Sequence, residues 1–182
     1  MANLKLLGIC GALRAQSTNR KLMLEAARLF GPCDFSQADI RFPLYDGDDE
    51  QASGIPDVVR HVQRQIKGAD AVIISTPEYN KAPSGVLKNA LDWISRDGGL
   101  ALWHAKPVAV MSAAAGRAGG ERAQTILRAC MVSFRPMILQ GPEIHLADSS
   151  NQFDDDGRLT GEIYVRELTA LMQALRTIAQ RD

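Results

Sequence analysis

The sequence predicts an α/β protein in which five parallel strands form one doubly wound sheet between two layers of helices. Two observations predict this fold. Short, largely apolar runs alternate with segments of helical periodicity along the chain, as in sheets whose strands are buried on both faces. The 182 residues also suffice for one domain with its own core. We therefore expect a single domain over residues 1–182.

The first part of the chain contains two predicted strands. Residues 4–10 are largely apolar, and the helix that follows presents an apolar side with Leu22 and Leu29. Residues 35–42 predict a weaker second strand. Residues 46–54 are acidic and contain glycine, so we expect a loop there.

Another helix and the third strand follow this loop. Residues 56–67 predict a helix with Pro56 in its first turn and Gly68 as its end. Its apolar side is formed by residues at helical spacing, namely Val58, Val59, Val62 and Ile66. Residues 71–75 are rich in β-branched side chains and predict the third strand.

The second half of the chain continues the alternation. A helix over residues 84–94 precedes a fourth strand over residues 107–111. Residues 112–120 form a small-residue loop that leads into a helix over residues 121–130.

The last predicted strand has two pieces. Residues 136–139 and 144–146 are separated at Gly141-Pro142, and an amphipathic helix over residues 161–180 ends the chain. Five strands alternating with helices favour a three-layer sheet, for which 2-1-3-4-5 is one common strand order.

Composition argues against several function classes. The 21 basic and 21 acidic residues cancel, so we expect neither a nucleic-acid-binding protein nor a small acidic electron carrier. No apolar run approaches the roughly 20 residues of a membrane span, and we expect a cytoplasmic protein without membrane contact. Cys10, Cys33 and Cys130 lack Cys-x-x-Cys spacing, which favours reduced thiols. The three histidines lack metal-ligand spacing, so we expect no metal.

Three polar or glycine-rich loops follow predicted strands, over residues 11–20, 76–83 and 112–120. Ligands of open α/β sheets bind outside the carboxyl ends of the strands, so we expect one site there. Residues 11–20 place hydroxyls, an amide and arginines at the start of a helix, where free N–H groups favour an anion. The alternative is that Ser17, Thr18 or Asn19 only caps the helix.

The second loop and its helix resemble those of the NAD(P)H-dependent FMN reductases. The residues that carry this resemblance are Pro77-Glu78-Tyr79-Asn80, Pro83, Gly85, Leu87-Lys88-Asn89-Ala90 and Asp92-Trp93. The resemblance extends over residues 4–139 and implies a flavodoxin-like fold.

The resemblance also implies a cofactor, FMN, and its ligands. Residues 11–20 resemble the family's Gly-Ser-Leu-Arg-x-x-Ser-x-Asn element, which holds the flavin phosphate. This implies phosphate contacts from Arg14, Ser17, Thr18 and Asn19. The family's Pro-Glu-Tyr-Asn segment holds the isoalloxazine ring, which implies ring contacts from Pro77, Glu78, Tyr79 and Asn80.

The third loop resembles the family's small-residue loop ending in Gly-Arg-x-Gly-Gly, whose backbone approaches the flavin pyrimidine. It implies contacts from Ser112, Gly116 and Arg117. Arg117 either stabilises reduced flavin, pairs with nicotinamide-nucleotide phosphates or is simply solvated.

Four positions depart from the family pattern. Ala12 replaces a serine, and Ala114-Ala115 replaces a more common Ser-Pro. Lys81 stands where many relatives carry an aromatic or small residue.

The implied activity is that of an FMN-dependent oxidoreductase. NADPH or NADH reduces the flavin, which then reduces a small-molecule acceptor: a quinone, free flavin, azo compound or metal oxyanion such as chromate. One site that serves both substrates in turn predicts ping-pong kinetics. Hydride transfer to flavin N5 needs no protein base, so we expect no catalytic side chain. The family also implies a homodimer or homotetramer with contacts through the helix over residues 84–94.

Two other functions remain open. A flavodoxin-like FMN electron carrier would exchange electrons with a protein partner without oxidising NAD(P)H itself. A flavin-binding regulator without turnover is the second alternative, for which the alanines at 12, 114 and 115 are the reason.

Overall fold

The computed structural model describes residues 3–180, which contain six α-helices and eight strands. The helices are α1 (Thr18–Phe30), α2 (Gly47–Ser53), α3 (Asp57–Gly68), α4 (Gly85–Ile94), α5 (Glu121–Cys130) and α6 (Glu162–Ala179). The strands are β1 (Lys5–Cys10), β2 (Asp34–Gln37), β3 (Ala71–Thr76), β4 (Glu78–Tyr79), β5 (Ala82–Pro83), β6 (Pro107–Ala113), β7 (Met137–Ile138) and β8 (Ile144–Leu146). None of the helices in this range is long and apolar enough to cross a bilayer.

Six strands form one parallel sheet with the order β2-β1-β3-β6-β7, and β8 also pairs with β6. The last two strands are therefore two pieces of one fifth strand, separated by the Gly141-Pro142 segment as predicted. Counted in this way, the order is 2-1-3-4-5 and the flavodoxin-like fold is confirmed. The short strands β4 and β5 form a separate antiparallel hairpin.

Both faces of the sheet are covered by helices. On one face, Leu22 of α1 and Leu171 of α6 pack in the same cluster as Leu6. On the other face, α3 and α4 share a cluster with Leu7, the next residue of β1. Successive side chains of a strand point to opposite faces, so a strand covered on both sides is apolar at nearly every position. This explains the short apolar runs in the sequence.

The expectation of a loop over residues 46–54 is wrong, because Gly47–Ser53 is the helix α2. The Asp46 side chain caps this helix by accepting a hydrogen bond from Asp48 N at 2.8 Å. The first turn contains three acidic residues, which the positive end of the helix dipole stabilises. Acidic composition here is therefore a helix-start signal.

Smaller differences concern β2 and α3. The second strand ends at Gln37, although Ile40 beyond it is buried. Pro56 precedes α3 as its N-cap residue, outside the first turn. Val58 is 52% exposed and does not belong to the buried side of α3.

Candidate functional site

Strand register brings the three predicted loops together. The strands β1, β3 and β6 are adjacent and parallel, with Cys10 opposite Ser75 and Thr76 opposite Ser112. The chain therefore leaves all three strands at the same edge of the sheet. This carboxyl edge is where the sequence predicts the site.

The side chain of Asn19 connects these strand ends. It lies in the first turn of α1, directly after the first loop, and is 2% exposed. Its Oδ1 accepts hydrogen bonds from Ser75 Oγ at 2.9 Å and from Ala113 N at 2.9 Å. Its Nδ2 donates to Ala113 O at 2.8 Å. The amide thus ties α1 to β3 and β6, and its predicted contact with phosphate stays a prediction.

Two further hydrogen bonds fix the first loop to its neighbours. The Oγ of Ser84, the N-cap residue of α4, donates to Gly11 O at 2.5 Å. The hydroxyls of Thr18 and Ser149 lie 3.0 Å apart, which connects α1 to the segment after β8. These bonds hold the loop from both sides.

The first loop has the chemistry of a phosphate site. Ser17 caps α1 by accepting a hydrogen bond from Asn19 N at 3.2 Å, so the capping interpretation is correct for this residue. The remaining N–H groups of the first turn lack intrahelical acceptors and carry the positive end of the helix dipole. The Arg14 side chain is exposed and has no polar partner within residues 3–180. Ser17 therefore caps the helix, while the remaining N–H groups of the first turn and Arg14 are still able to bind an anion.

A cavity of about 270 Å³ opens beside this loop, between β1 and the segment after β2. Arg41 crosses it, with Nη2 donating to Leu13 O at 3.3 Å. Cys10 also lines the cavity, and burial raises the pKa of its thiol. A protonated, buried thiol is a poor nucleophile, so Cys10 is a packing residue.

The second loop contains a hairpin that the sequence analysis missed. Tyr79 pairs with Ala82, and the two residues between them, Asn80 and Lys81, have φ values of 50° and 71°. Two positive φ angles are typical of a type I′ turn, which favours Asn-Gly. Asparagine tolerates this region, but a lysine there is strained by roughly 1–2 kcal/mol. The unusual Lys81 concealed the turn in the sequence.

Glu78 connects the hairpin to α5. Its Oε2 accepts hydrogen bonds from Arg122 N at 3.1 Å and Ala123 N at 3.3 Å. Its Oε1 lies 3.7 Å from Arg122 Nη1. The N-cap position of α5 is Gly120, which has no side chain, so Glu78 supplies the missing cap from another element.

The third loop is held by small residues and one buried serine. Ser112 Oγ donates to Gly119 O at 2.6 Å and accepts from Gln124 Nε2 at 2.9 Å. Both Gly119 and Gly120 have positive φ. A Cβ on Gly119 would lie 2.3 Å from the carbonyl of His145, so only glycine fits there. Backbone, rather than side chains, forms this wall of the site.

The structure divides the predicted ligands into two groups. The side chains bonded inside the protein belong to Ser17, Thr18, Asn19, Glu78 and Ser112. The exposed residues are Arg14, Tyr79, Asn80, Gly116 and Arg117, whereas Pro77 is buried. The first group builds the edge, and the second group faces outward from it.

Sequence reasoning missed the contributions of Ser84, Gln124 and Ser149. The capping role of Ser84 could have been predicted, because a serine directly before a helix is a typical N-cap residue. The buried Gln124 bonds Ser112 Oγ and Ile144 O, and no local pattern marks this role. The bond of Ser149 to Thr18 joins residues 131 positions apart.

Comparison with known proteins agrees with this geometry. Residues 4–150 match the family described as NADPH-dependent FMN reductase. The chain belongs to this family. An NAD(P)H-dependent FMN reductase of Pseudomonas aeruginosa is 39% identical over 181 residues, covering 98% of this chain and 97% of that protein. A 2-hydroxy-1,4-benzoquinone reductase of a Burkholderia species is 38% identical over 162 residues, covering 87% of each chain.

A solved structure supports the same assignment. FerB of Paracoccus denitrificans, a flavoenzyme NAD(P)H:(acceptor) oxidoreductase, has a TM-score of 0.87 with 28% identity, covering 98% of both chains. The FMN reductase resemblance is thus confirmed. The chain is an oxidoreductase whose cofactor is FMN, with NADPH or NADH as co-substrate.

The described residues fit FMN. The start of α1 and the Arg14 guanidinium, which has no polar partner among residues 3–180, suit a phosphate dianion. Gly116 of the third loop is exposed, and a Cβ there would meet no protein atom within 4 Å, so the backbone is open to an approaching group. When bound, FMN supplies hydride and electron transfer, which the side chains of this edge do not provide.

We predict that Asn19→Ala lowers the free energy of unfolding by about 2–4 kcal/mol, because it removes the partners of the buried Ser75 hydroxyl and of Ala113 C=O. Urea unfolding of the FMN-free protein measures the loss. The control is Gln16→Ala, an exposed change in the same loop. An Asn19→Ala protein as stable as this control would contradict the structural role.

Glu78 provides a test of capping against acid–base chemistry. Glu78→Gln keeps an oxygen that accepts from Arg122 N and Ala123 N, so we expect turnover within about threefold of the wild type. Glu78→Ala removes the cap and should cost about 1 kcal/mol of stability. Steady-state rates and thermal unfolding of both variants measure these effects. Loss of turnover in Glu78→Gln by a hundredfold would indicate proton transfer instead.

Proposed function

We propose that this chain uses NAD(P)H to reduce FMN and then reduces a quinone-type acceptor at the same site. The observation that carries the proposal is that Arg14 and Arg117, in the first and third loops, are exposed and have no polar partner among the described residues 3–180. The name of one relative supports the acceptor class, since it is a 2-hydroxy-1,4-benzoquinone reductase. In the net reaction, NAD(P)H, a proton and a quinone give NAD(P)⁺ and a hydroquinone.

The roles of the chain's own residues follow from their partners. Arg14 and the start of α1 would hold the phosphate, with Ser17, Thr18 and Asn19 keeping that turn in place. Pro77, Glu78, Tyr79 and Asn80 would hold the isoalloxazine ring together with the backbone around Ser112, Gly116 and Arg117. Glu78, the carboxylate in these loops, is committed to α5, which supports a reaction without a protein base. Free flavin, azo compounds and chromate remain predicted acceptors, and a single domain in the cytoplasm remains part of the proposal.

We also propose a homodimer or homotetramer with α4 at the contact. Leu44 beside this helix is 83% exposed, yet both of its neighbours are fixed. The carbonyl of Pro43 accepts bonds from Asn89 Nδ2 at 2.8 Å and Trp93 Nε1 at 2.9 Å, and Tyr45 N donates to Asn89 Oδ1. Leu44, held in an exposed position in this way, adds to the apolar surface beside α4. Light scattering at micromolar concentration should give at least twice the mass of one chain, and a monomer would refute this part.

Steady-state kinetics test the proposed function. We expect NADPH oxidation that depends on 1,4-naphthoquinone and, when both concentrations are varied, parallel double-reciprocal lines, because one site serves the two substrates in turn. Intersecting lines would contradict the ping-pong order while leaving the activity intact. No NADPH oxidation with bound FMN would instead support an electron carrier or regulator.

A further inference from the structure

Lys81 occupies a backbone position that does not suit it. Its φ of 71° lies in the left-handed region, at the turn position where glycine is preferred. Strained residues persist where the surrounding structure fixes them, and they are concentrated at functional sites. The Lys81 side chain is therefore a candidate for a functional role.

The hairpin that carries Lys81 is fixed to the rest of the edge at both ends. On one side, Glu78 is bonded to Arg122 N and Ala123 N of α5. On the other side, Pro83 is buried and leads directly into Ser84, which is bonded to Gly11 O. The ammonium group is therefore carried on a turn with both ends fixed to the carboxyl edge.

The charges of this edge are unbalanced although the whole chain is neutral. The side chains of Arg14, Lys81 and Arg117 are exposed and have no polar partner within residues 3–180. Glu78, the carboxylate within the same three loops, is 15% exposed and already shared between Arg122 and the start of α5. Cations that no carboxylate neutralises raise the local concentration of anions.

We propose that Lys81 selects negatively charged acceptors, such as quinones that bear an ionised hydroxyl or a sulfonate. This inference rests on the proposed function. Arg14 lies in the phosphate loop and Arg117 in the third loop, whereas Lys81 belongs to the hairpin assigned to the ring. An acceptor that stacks on the ring therefore meets the Lys81 ammonium, and the cofactor phosphate does not need it.

The test compares two acceptors with the same ring system and different charge, 1,4-naphthoquinone and 1,4-naphthoquinone-2-sulfonate. FMN-loaded enzyme is reduced with dithionite without NADPH, and its reoxidation by each quinone is followed by stopped flow. Lys81→Met and Lys81→Gly remove the charge, and Lys81→Arg keeps it. Lys67→Met, at an exposed position at the other end of β3, is the control.

We expect Lys81→Met and Lys81→Gly to lower the sulfonate-to-neutral rate ratio by about threefold to tenfold at low salt, and 0.5 M salt to remove most of this difference. Lys81→Arg and Lys67→Met should keep the wild-type ratio. Lys81→Gly should also raise Tm by about 2–4 °C, because glycine relieves the strained φ. If Lys81→Gly is more stable than the wild type and still shows a lower sulfonate-to-neutral rate ratio, the loss of selection comes from the missing charge and not from impaired folding.

An unchanged rate ratio in Lys81→Met and Lys81→Gly would overturn the proposal. If these variants also bound NADPH more weakly in a separate titration, Lys81 would be assigned to the nucleotide. The dithionite experiment does not depend on NADPH, so failure of NADPH to reduce wild-type enzyme would count against the proposed function alone.

Discussion

The hydrogen bonds of the Asn19 amide hold the carboxyl edge of the sheet in the arrangement that the rest of the site requires. One buried side chain satisfies Ser75 at the end of β3 and both backbone groups of Ala113 at the end of β6. Because the residue also lies in the first turn of α1, the same bonds set where the first loop stands relative to the second and third loops. Leaving such buried groups unpaired costs about 1–3 kcal/mol each, so the arrangement is strongly favoured.

Around Asn19, the buried polar residues join the loops to other elements, whereas the exposed charged residues face away from the protein. Ser84, Glu78 and Ser112 each join one loop to another element and are fully used within the protein. The exposed arginines and lysine of the same loops have no protein partner within residues 3–180. A rigid edge with outward cations suits a site whose chemistry is supplied by a cofactor, since the protein then contributes position, shape and electrostatics.

The sequence predicts the fold well where local signals and tertiary structure agree. The span of α5 and the division of the fifth strand at Gly141-Pro142 follow from periodicity and turn residues. Predictions fail where the same type of residue is compatible with two different local structures. The acidic stretch after Asp46 resembles a loop in composition but forms a capped helix, and the turn at Lys81 lacks the glycine that marks a type I′ hairpin. The internal bonds of Asn19 join residues up to 94 positions apart, which no single-sequence pattern specifies.

The central claim is that this edge holds FMN in a position where NAD(P)H can reduce it. The most direct measurement is the visible spectrum of the protein with added FMN, recorded anaerobically before and after NADPH. We predict a bound-flavin spectrum whose long-wavelength band is bleached by NADPH and restored by a quinone. Bound FMN that neither NADPH nor NADH bleaches would contradict the activity, and failure to bind FMN would contradict the assignment of all three loops.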